Sequence, residues 1–462
     1  MGSLDPVLLS RMQMAFTLSF HILFPTLTIG LAVFLAVLES LWLRTGDGFY
    51  KRHYHFWVKL FALTFGVGVV SGIVLSYEFG TNFGRFSAIA GSVVGPLMSY
   101  EVLTAFFMEA GFLGIMLFGW QRVGRKLHYT ATLLVAAGTV FSAFWILSAN
   151  SWMQTPAGAA LRDGVFYPLD WWSIVFNPSF PYRLAHMVLA ALLSSSVFVA
   201  GVSAWLLRRG HEPRFGRFSF RFAIVAAAIL APLQILAGDQ QGLIAERYQP
   251  IKVAAIEGRW TTEAHAPLVL FAWPDTEART NRYAIEIPEA GSLIIKHHAD
   301  GVVTGLDAAP PADWPDVPLP FFAFRIMVGL GLLMLAYAWL GAWFQWRRKQ
   351  DTPHWFMAVA VWMIPAGFIA TVAGWWVAET GRQPWVVYGL LRTADVATEV
   401  PGGQVLWSLL TFIVVYAAVM AAYLYYLLKV IRQGPAAAEP PEPAGGRSAP
   451  AKPAFGGVED DA

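Results

Sequence analysis

Residues 16–43 read FTLSFHILFPTLTIGLAVFLAVLESLWL, and this stretch decides the fold class. An α-helix rises ~1.5 Å per residue, so roughly 20 apolar residues cross the ~30 Å hydrocarbon layer of a bilayer. Phe16 to Leu43 is long enough. It is too long for a signal-peptide core and has no small-residue cleavage site, so it reads as a retained helix. Eight more stretches qualify: Phe56 to Tyr77, Val94 to Trp120, Tyr129 to Ala149, Leu184 to Leu207, Phe222 to Ala237, Phe322 to Trp346, Phe356 to Ala378 and Leu406 to Leu428. The sixth is the shortest. The expectation is an all-α integral membrane protein of nine helices.

Composition agrees. Of 462 residues, 56% are hydrophobic and only 13% charged, against a usual ~25% charged. Mean hydropathy is +0.52. A net charge of +2 lacks the basic excess that a nucleic-acid partner requires. With no cysteine, disulfides, thiolate metal sites, iron–sulfur clusters and covalently attached c-type heme are excluded. A metal or cofactor must be held by His, Met or carboxylate.

Lys and Arg fall on alternate loops: Arg44, Lys51 and Arg52; Arg122, Arg125 and Lys126; Arg208, Arg209, Arg214 and Arg217; Arg347, Arg348 and Lys349; Lys429 and Arg432. The other loops carry few cations. The positive-inside rule therefore puts the N-terminus outside and the C-terminus in the cytoplasm, which needs an odd number of spans. The expected organisation is helices one to six over 1–237, an extracytoplasmic loop over 238–320, helices seven to nine over 321–432, and a disordered cytoplasmic tail over 433–462. The loop is longer than ordinary connections, which points to function. The tail is rich in Pro, Ala, Gly and acidic residues and cannot bury a core.

Ionisable side chains inside hydrocarbon are costly, and each is a site hypothesis. His21 lies near the outer end of the first helix, Glu101 and Glu109 on the third, His186 at the start of the fifth and Glu379 at the end of the eighth. All but Glu109 fall toward the outer side. His186 and Met327 each lie about one turn inside the helices flanking the long loop, and a His/Met pair ligates low-spin heme. Met327 also reads as a packing residue, and Arg325 as either an interfacial anchor or a propionate partner. Glu101 and Glu109, slightly over two turns apart, share a face about ~12 Å apart along the axis and form a possible proton ladder. Glu379 precedes Gly381-Arg382-Gln383-Pro384-Trp385, a polar aromatic turn at the outer interface.

That segment, following Trp376-Val-Ala-Glu379, resembles the signature of subunit I of the cytochrome bd quinol oxidases. So do Arg11-Met-Gln-Met-Ala-Phe16 with Phe20-His21-Ile-Leu-Phe-Pro25, Tyr100-Glu101 through Phe106-Phe-Met-Glu109, Tyr182-Arg-Leu-Ala-His186, Phe324-Arg-Ile-Met-Val-Gly329 and Ile251-Lys-Val-Ala-Ala-Ile-Glu257. The resemblance implies roles. His186 and Met327 would ligate a low-spin heme b, with Arg325 nearby. His21 and Glu379 would serve two high-spin hemes, one b and one d, or a third heme b in place of d. Glu101 would lie near the oxygen-binding iron, with Trp375 among the hemes and Arg382 and Gln383 beside them. Lys252 and Glu257 would contact quinol, and Glu109 would lie on a proton route from the cytoplasm. The implied activity is electrogenic oxidation of quinol at the outer face of a bacterial cell membrane, coupled to reduction of dioxygen to water without a pump. A second membrane subunit and a small single-helix subunit would be partners. The outer loop lacks a large insertion and resembles the short-loop branch of the family.

Two other classes compete. A heme b subunit that exchanges electrons with quinone but never binds oxygen would hold only six-coordinate hemes. A proton- or ion-coupled transporter would show matching Gly/Pro-broken helices in two halves, and no such pairing is evident.

Overall fold

A computed structural model describes residues 5–348 and 352–435. The expected tail beyond Gln433 lies almost wholly outside the described residues, as does Lys349. Nine helices among the described residues are long and apolar enough to cross a membrane. They are α1 (Pro6–Thr45), α2 (Gly48–Thr81), α3 (Gly84–Phe118), α4 (Arg125–Gln154), α5 (Phe180–Arg208), α6 (Pro213–Tyr248), α7 (Pro318–Arg348), α8 (His354–Thr380) and α9 (Gly402–Gln433).

Most run past the apolar stretches that announce them, and at α1 caps mark where the helix ends. At α1 the Asp5 carboxylate accepts from the Val7 N–H at 2.9 Å, Pro6 fills the first helical position, and Gly46 closes the helix at φ 70°. The helix thus begins ten residues before Phe16, and His21 is four turns in rather than near the end. The sixth stretch, expected to stop at Ala237, continues as helix to Tyr248, three turns beyond its apolar part. α8 is interrupted at Pro365, between segments His354–Trp362 and Ala366–Thr380, since proline lacks the N–H the helix needs.

The helices form two bundles. α1 packs on α2 and α4, with α3 on α4; α5 packs on α6 and α8, with α7 on α6 and α8. α1 joins the bundles by also touching α5, α8 and α9. α1 and α5 are correspondingly the most interior spans, with 67% of their apolar windows buried. Their approach is close. A Cβ on Gly30 of α1 would sit 2.2 Å from the Ser195 Oγ of α5, and that hydroxyl donates to the Thr26 and Leu27 carbonyls at 3.1 Å. Small residues and interhelical hydrogen bonds hold helices together where lipid supplies no hydrophobic drive.

The described connections on the basic side are short turns. On the opposite side the chain builds three β-hairpins that the all-α expectation omits: Ala159–Arg162 with Val165–Pro168, Leu268–Asp275 with Thr280–Ile287, and Trp385–Val387 with Leu391–Arg392. The long loop also holds a short helix, Pro250–Glu257, closed by Gly258 at φ 67°.

Candidate functional site

Depth along the helices gathers the candidates. At about 1.5 Å per residue, His186 lies roughly 33 Å from the basic end of α5, Met327 roughly 30 Å along α7 and His21 roughly 36 Å along α1. By the same count Glu379 lies roughly 38 Å along α8, Glu101 roughly 26 Å and Glu109 roughly 14 Å along α3. His21, His186, Met327 and Glu379 thus lie toward the hairpin side, whereas Glu101, expected there too, sits at the midpoint of α3 because that helix begins at Gly84, ten residues before its apolar stretch, and Glu109 lies toward the basic side.

His21 is oriented by the Ser71 hydroxyl. The Ser71 hydroxyl donates to the Val67 and Gly68 carbonyls at 3.0 Å, so its oxygen is left to accept the His21 Nδ1–H at 2.9 Å. That arrangement leaves Nε2 with a lone pair, which is how ligating histidines are oriented. Glycine at 72 makes the room: a Cβ there would lie 3.1 Å from His21 Cε1.

His186 and Met327 sit in the second bundle, each facing a glycine on a neighbouring helix. A Cβ at Gly374 of α8 would meet the Met327 sulfur at 2.7 Å, and one at Gly238 of α6 would meet His186 Cε1 at 3.2 Å. The Gln234 amide lies beside both imidazole nitrogens, at 3.2 and 3.3 Å. Among the described residues no three His, Cys, Asp or Glu converge on a point. The candidate ligands stand singly, as axial ligands of a heme do.

Glu379 anchors a buried polar network from four elements. Its Oε1 accepts from Asn150 Nδ2 at 3.0 Å and Gln154 Nε2 at 3.3 Å, and its Oε2 from Arg382 Nη2. Arg183 of α5 donates to the Asn150 side chain. Lys252, from the short loop helix, donates to Gln154 Oε1 at 3.0 Å and to the Ala378 carbonyl at 2.9 Å. Two guanidiniums, Arg183 and Arg382, 8% and 4% exposed, and the Lys252 amine, 4% exposed, surround a single carboxylate. Arg382 Nε and Nη1 and Arg183 Nε have no acceptor among the described residues. Buried charge needs pairing, so the network has room for further anionic oxygens, and heme propionates supply that chemistry. Burial and the nearby Arg183 hold the Lys252 amine well below its ordinary pKa, with Glu379 opposing.

Glu257 is separate from Lys252. Its carboxylate is 6% exposed, lies 3.6 Å from Arg325 Nη2, and its Oε2 has no hydrogen-bond donor. Burial raises its pKa above the usual carboxylate range, opposed by Arg325 and then Arg259. Arg325 donates to the carbonyls of Ile256 at 2.9 Å, Phe321 at 3.0 Å and Val269 at 2.5 Å, clamping the loop onto the start of α7. Its Nε is buried without an acceptor among the described residues.

Glu101 and Glu109 both face α4. Ser142 Oγ donates to Glu101 Oε1 at 2.7 Å, and a Cβ at Gly138, one turn earlier, would lie 2.6 Å from Glu109 Cγ. Between them Glu101–Phe106 is a π-helix. Eight α-helical residues leave an offset of about 80°, and the wider π turn reduces it. Trp375 is half-buried one turn before Glu379 and stacks on no ring among the described residues. Gln383 turns away from the network, accepting from Thr393 Oγ1 at 2.9 Å. Arg183, Asn150 and Gln154 carried no spacing signal in the sequence, since they meet Glu379 only in three dimensions. Two further buried carboxylates also went unread: Glu78, held by Gln13 and Thr17, and Glu39, paired with His128.

A family described as "Cytochrome bd terminal oxidase subunit I" matches residues 9–435. Cytochrome bd ubiquinol oxidase subunit 1 of Bacillus subtilis (strain 168) is 35% identical, covering 93% of this chain and 94% of that protein. Cytochrome bd-II ubiquinol oxidase subunit 1 of Escherichia coli (strain K12) is 33% identical, covering 95% and 99%. The solved bd oxidase from Geobacillus thermodenitrificans superposes with a TM-score of 0.87 at 33% identity, covering 94% of this chain and 100% of that one. The lone His and Met donors, the cationic network around Glu379 and the nine spans stand in a chain matched almost end to end, and it belongs to the cytochrome bd terminal oxidase subunit I family.

Proposed function

We propose that this chain is the heme-bearing subunit of a terminal quinol oxidase in the bacterial plasma membrane, in which two quinols and one dioxygen give two quinones and two waters. The observation that carries this reading is the set of singly placed donors, His21, His186, Met327 and Glu379, at similar depth beside a buried surplus of cations. Hemes b and d are the cofactors of this family; bound here, they supply electron transfer from quinol and the iron at which oxygen is reduced. His186 and Met327 would hold a low-spin heme b, and His21 and Glu379 the high-spin pair.

The chain's own groups handle binding and protons. Lys252 offers a donor to the quinol head group, and Glu257, ion-paired with Arg325 but with no hydrogen-bond donor on Oε2 among the described residues, accepts a proton as quinol is oxidised. A shallow cleft of about 190 Å³, lined by Gln154, Thr155, Pro156, Pro178, Tyr248 and Tyr388, opens onto the Lys252 network from the hairpin side. Glu109 lies nearer the basic face and carries protons from there toward Glu101. With the basic loops cytoplasmic, protons are released outside and consumed from inside, so charge is separated without a pump. As a subunit I, the chain works with a second subunit; α3 and α9, with only 17% of their apolar windows buried, offer faces for it or for a small single-helix subunit. The test is quinol-driven oxygen uptake by the purified oxidase. His186→Ala or Met327→Leu should abolish the low-spin b signal, and its persistence would reject that ligand pair.

A further inference from the structure

A second buried acid–base cluster lies between the basic face and Glu109. Glu39 of α1 and His128, in the first turn of α4, are 0% and 1% exposed. His128 Nδ1 lies 2.6 Å from Glu39 Oε1, and Thr132 Oγ1 donates to Glu39 Oε2 at 2.6 Å while pairing with the Tyr54 hydroxyl at 2.8 Å. His128 Nε2 is buried without a partner among the described residues. Trp120, in the basic-side turn after α3, covers the imidazole with ring centroids 4.1 Å apart, and Lys51 Nζ lies 5.3 Å from the same indole. The cluster thus begins one turn below the basic loop.

It is aligned with the carboxylates above it. At about 100° per residue, His128, Thr132, Gly138 and Ser142 fall within one stripe of roughly 120° along α4. In chain order this stripe meets Glu39, then Glu109, then Glu101. Thr132 and Gly138 are roughly 9 Å apart along the axis, a gap that water molecules must bridge.

We propose that His128 and Glu39 form the basic-side entrance of the proton file that reaches Glu109, an inference resting on the role given to Glu109 above. A proton arriving on His128 Nε2 is matched by loss of the Nδ1 proton to Glu39 Oε1. Glu39 then releases a proton to bridging water toward Glu109 and returns to carboxylate, while the imidazole regains its first tautomer by exchange with water, giving up the Nε2 proton and taking one at Nδ1. One proton moves inward and no other bond changes. Thr132 positions Glu39 by its hydrogen bond to Oε2.

The test uses the complete oxidase with its partner subunit in proteoliposomes, measuring quinol-driven oxygen uptake and membrane potential for Glu39→Gln, Glu39→Asp, Thr132→Val and Glu109→Gln. Glu39→Gln should slow both about tenfold or more with heme content and anaerobic heme reduction by quinol unchanged, and Glu39→Asp, which keeps the carboxylate, should recover much of the rate. Wild-type uptake and potential in Glu39→Gln, beside a slowed Glu109→Gln, would overturn the entrance alone. Wild-type behaviour in Glu109→Gln would remove the reading on which the entrance rests. If Glu39→Gln does not assemble, Thr132→Val decides: several-fold slower turnover with intact hemes supports the entrance, and unchanged turnover overturns it.

Discussion

At His21 a single hydroxyl sets the chemistry. With the Ser71 proton on a backbone carbonyl, its oxygen accepts from Nδ1, and Nε2 keeps the lone pair that the proposed ligand role needs. Outer hydrogen bonds of this kind are typically worth 10–100-fold in affinity or activity. Ser71→Ala should therefore lower high-spin heme retention by about that factor, read from pigment content after dilution in detergent. Glu257 gives a pH signature. Its pKa is raised by burial, so below that value the carboxyl is protonated and cannot accept the quinol proton. Quinol oxidation should rise with pH through a midpoint above the ordinary ~4.3, and Glu257→Gln should lose that limb along with most quinol-driven oxygen uptake while artificial donors still reduce the hemes. An intact limb in the variant would refute the assignment. Single residues such as His21, His186 and Glu379 were legible in the sequence because ionisable groups in apolar runs stand out. Arg183, Asn150 and Gln154 were not, because ordinary polar residues near helix ends look alike until the fold brings them onto one carboxylate.

Among the elements, the π turn at Glu101–Phe106 and the glycine contacts do the positioning. Gly374 leaves space for the Met327 sulfur where a Cβ would come within 2.7 Å. Gly374→Leu should displace Met327 and cost the low-spin heme signal while the other helices assemble, checked by reduced-minus-oxidised spectra alongside thermal melting. Retention of a normal signal would show that Met327 does not depend on this contact. All nine spans could be read from hydropathy, since hydrocarbon thickness sets a minimum apolar length. Their ends could not, because caps such as Asp5 and the polar three turns from Gly238 to Tyr248 lie outside the apolar signal. The π turn leaves no compositional mark at all.

Across the whole molecule, the hairpin side holds the loop helix, the cation surplus and the candidate ligands, while the basic side holds short turns and the start of the proposed carboxylate route. Glu109→Gln should reduce turnover and quinol-driven membrane potential together, measured in proteoliposomes; normal values for both would take Glu109 off the proton path. The long loop was recognisable by length and polarity, but the burial of Lys252 and Glu257 in two different networks was not, because a lysine and a glutamate five residues apart ordinarily share a solvated helix surface. The most direct test of the account is a reduced-minus-oxidised spectrum of the purified oxidase taken together with oxygen consumption on quinol. The account predicts low-spin and high-spin heme signals with quinol-driven oxygen uptake. Absence of heme, or heme with no oxygen uptake, would contradict it.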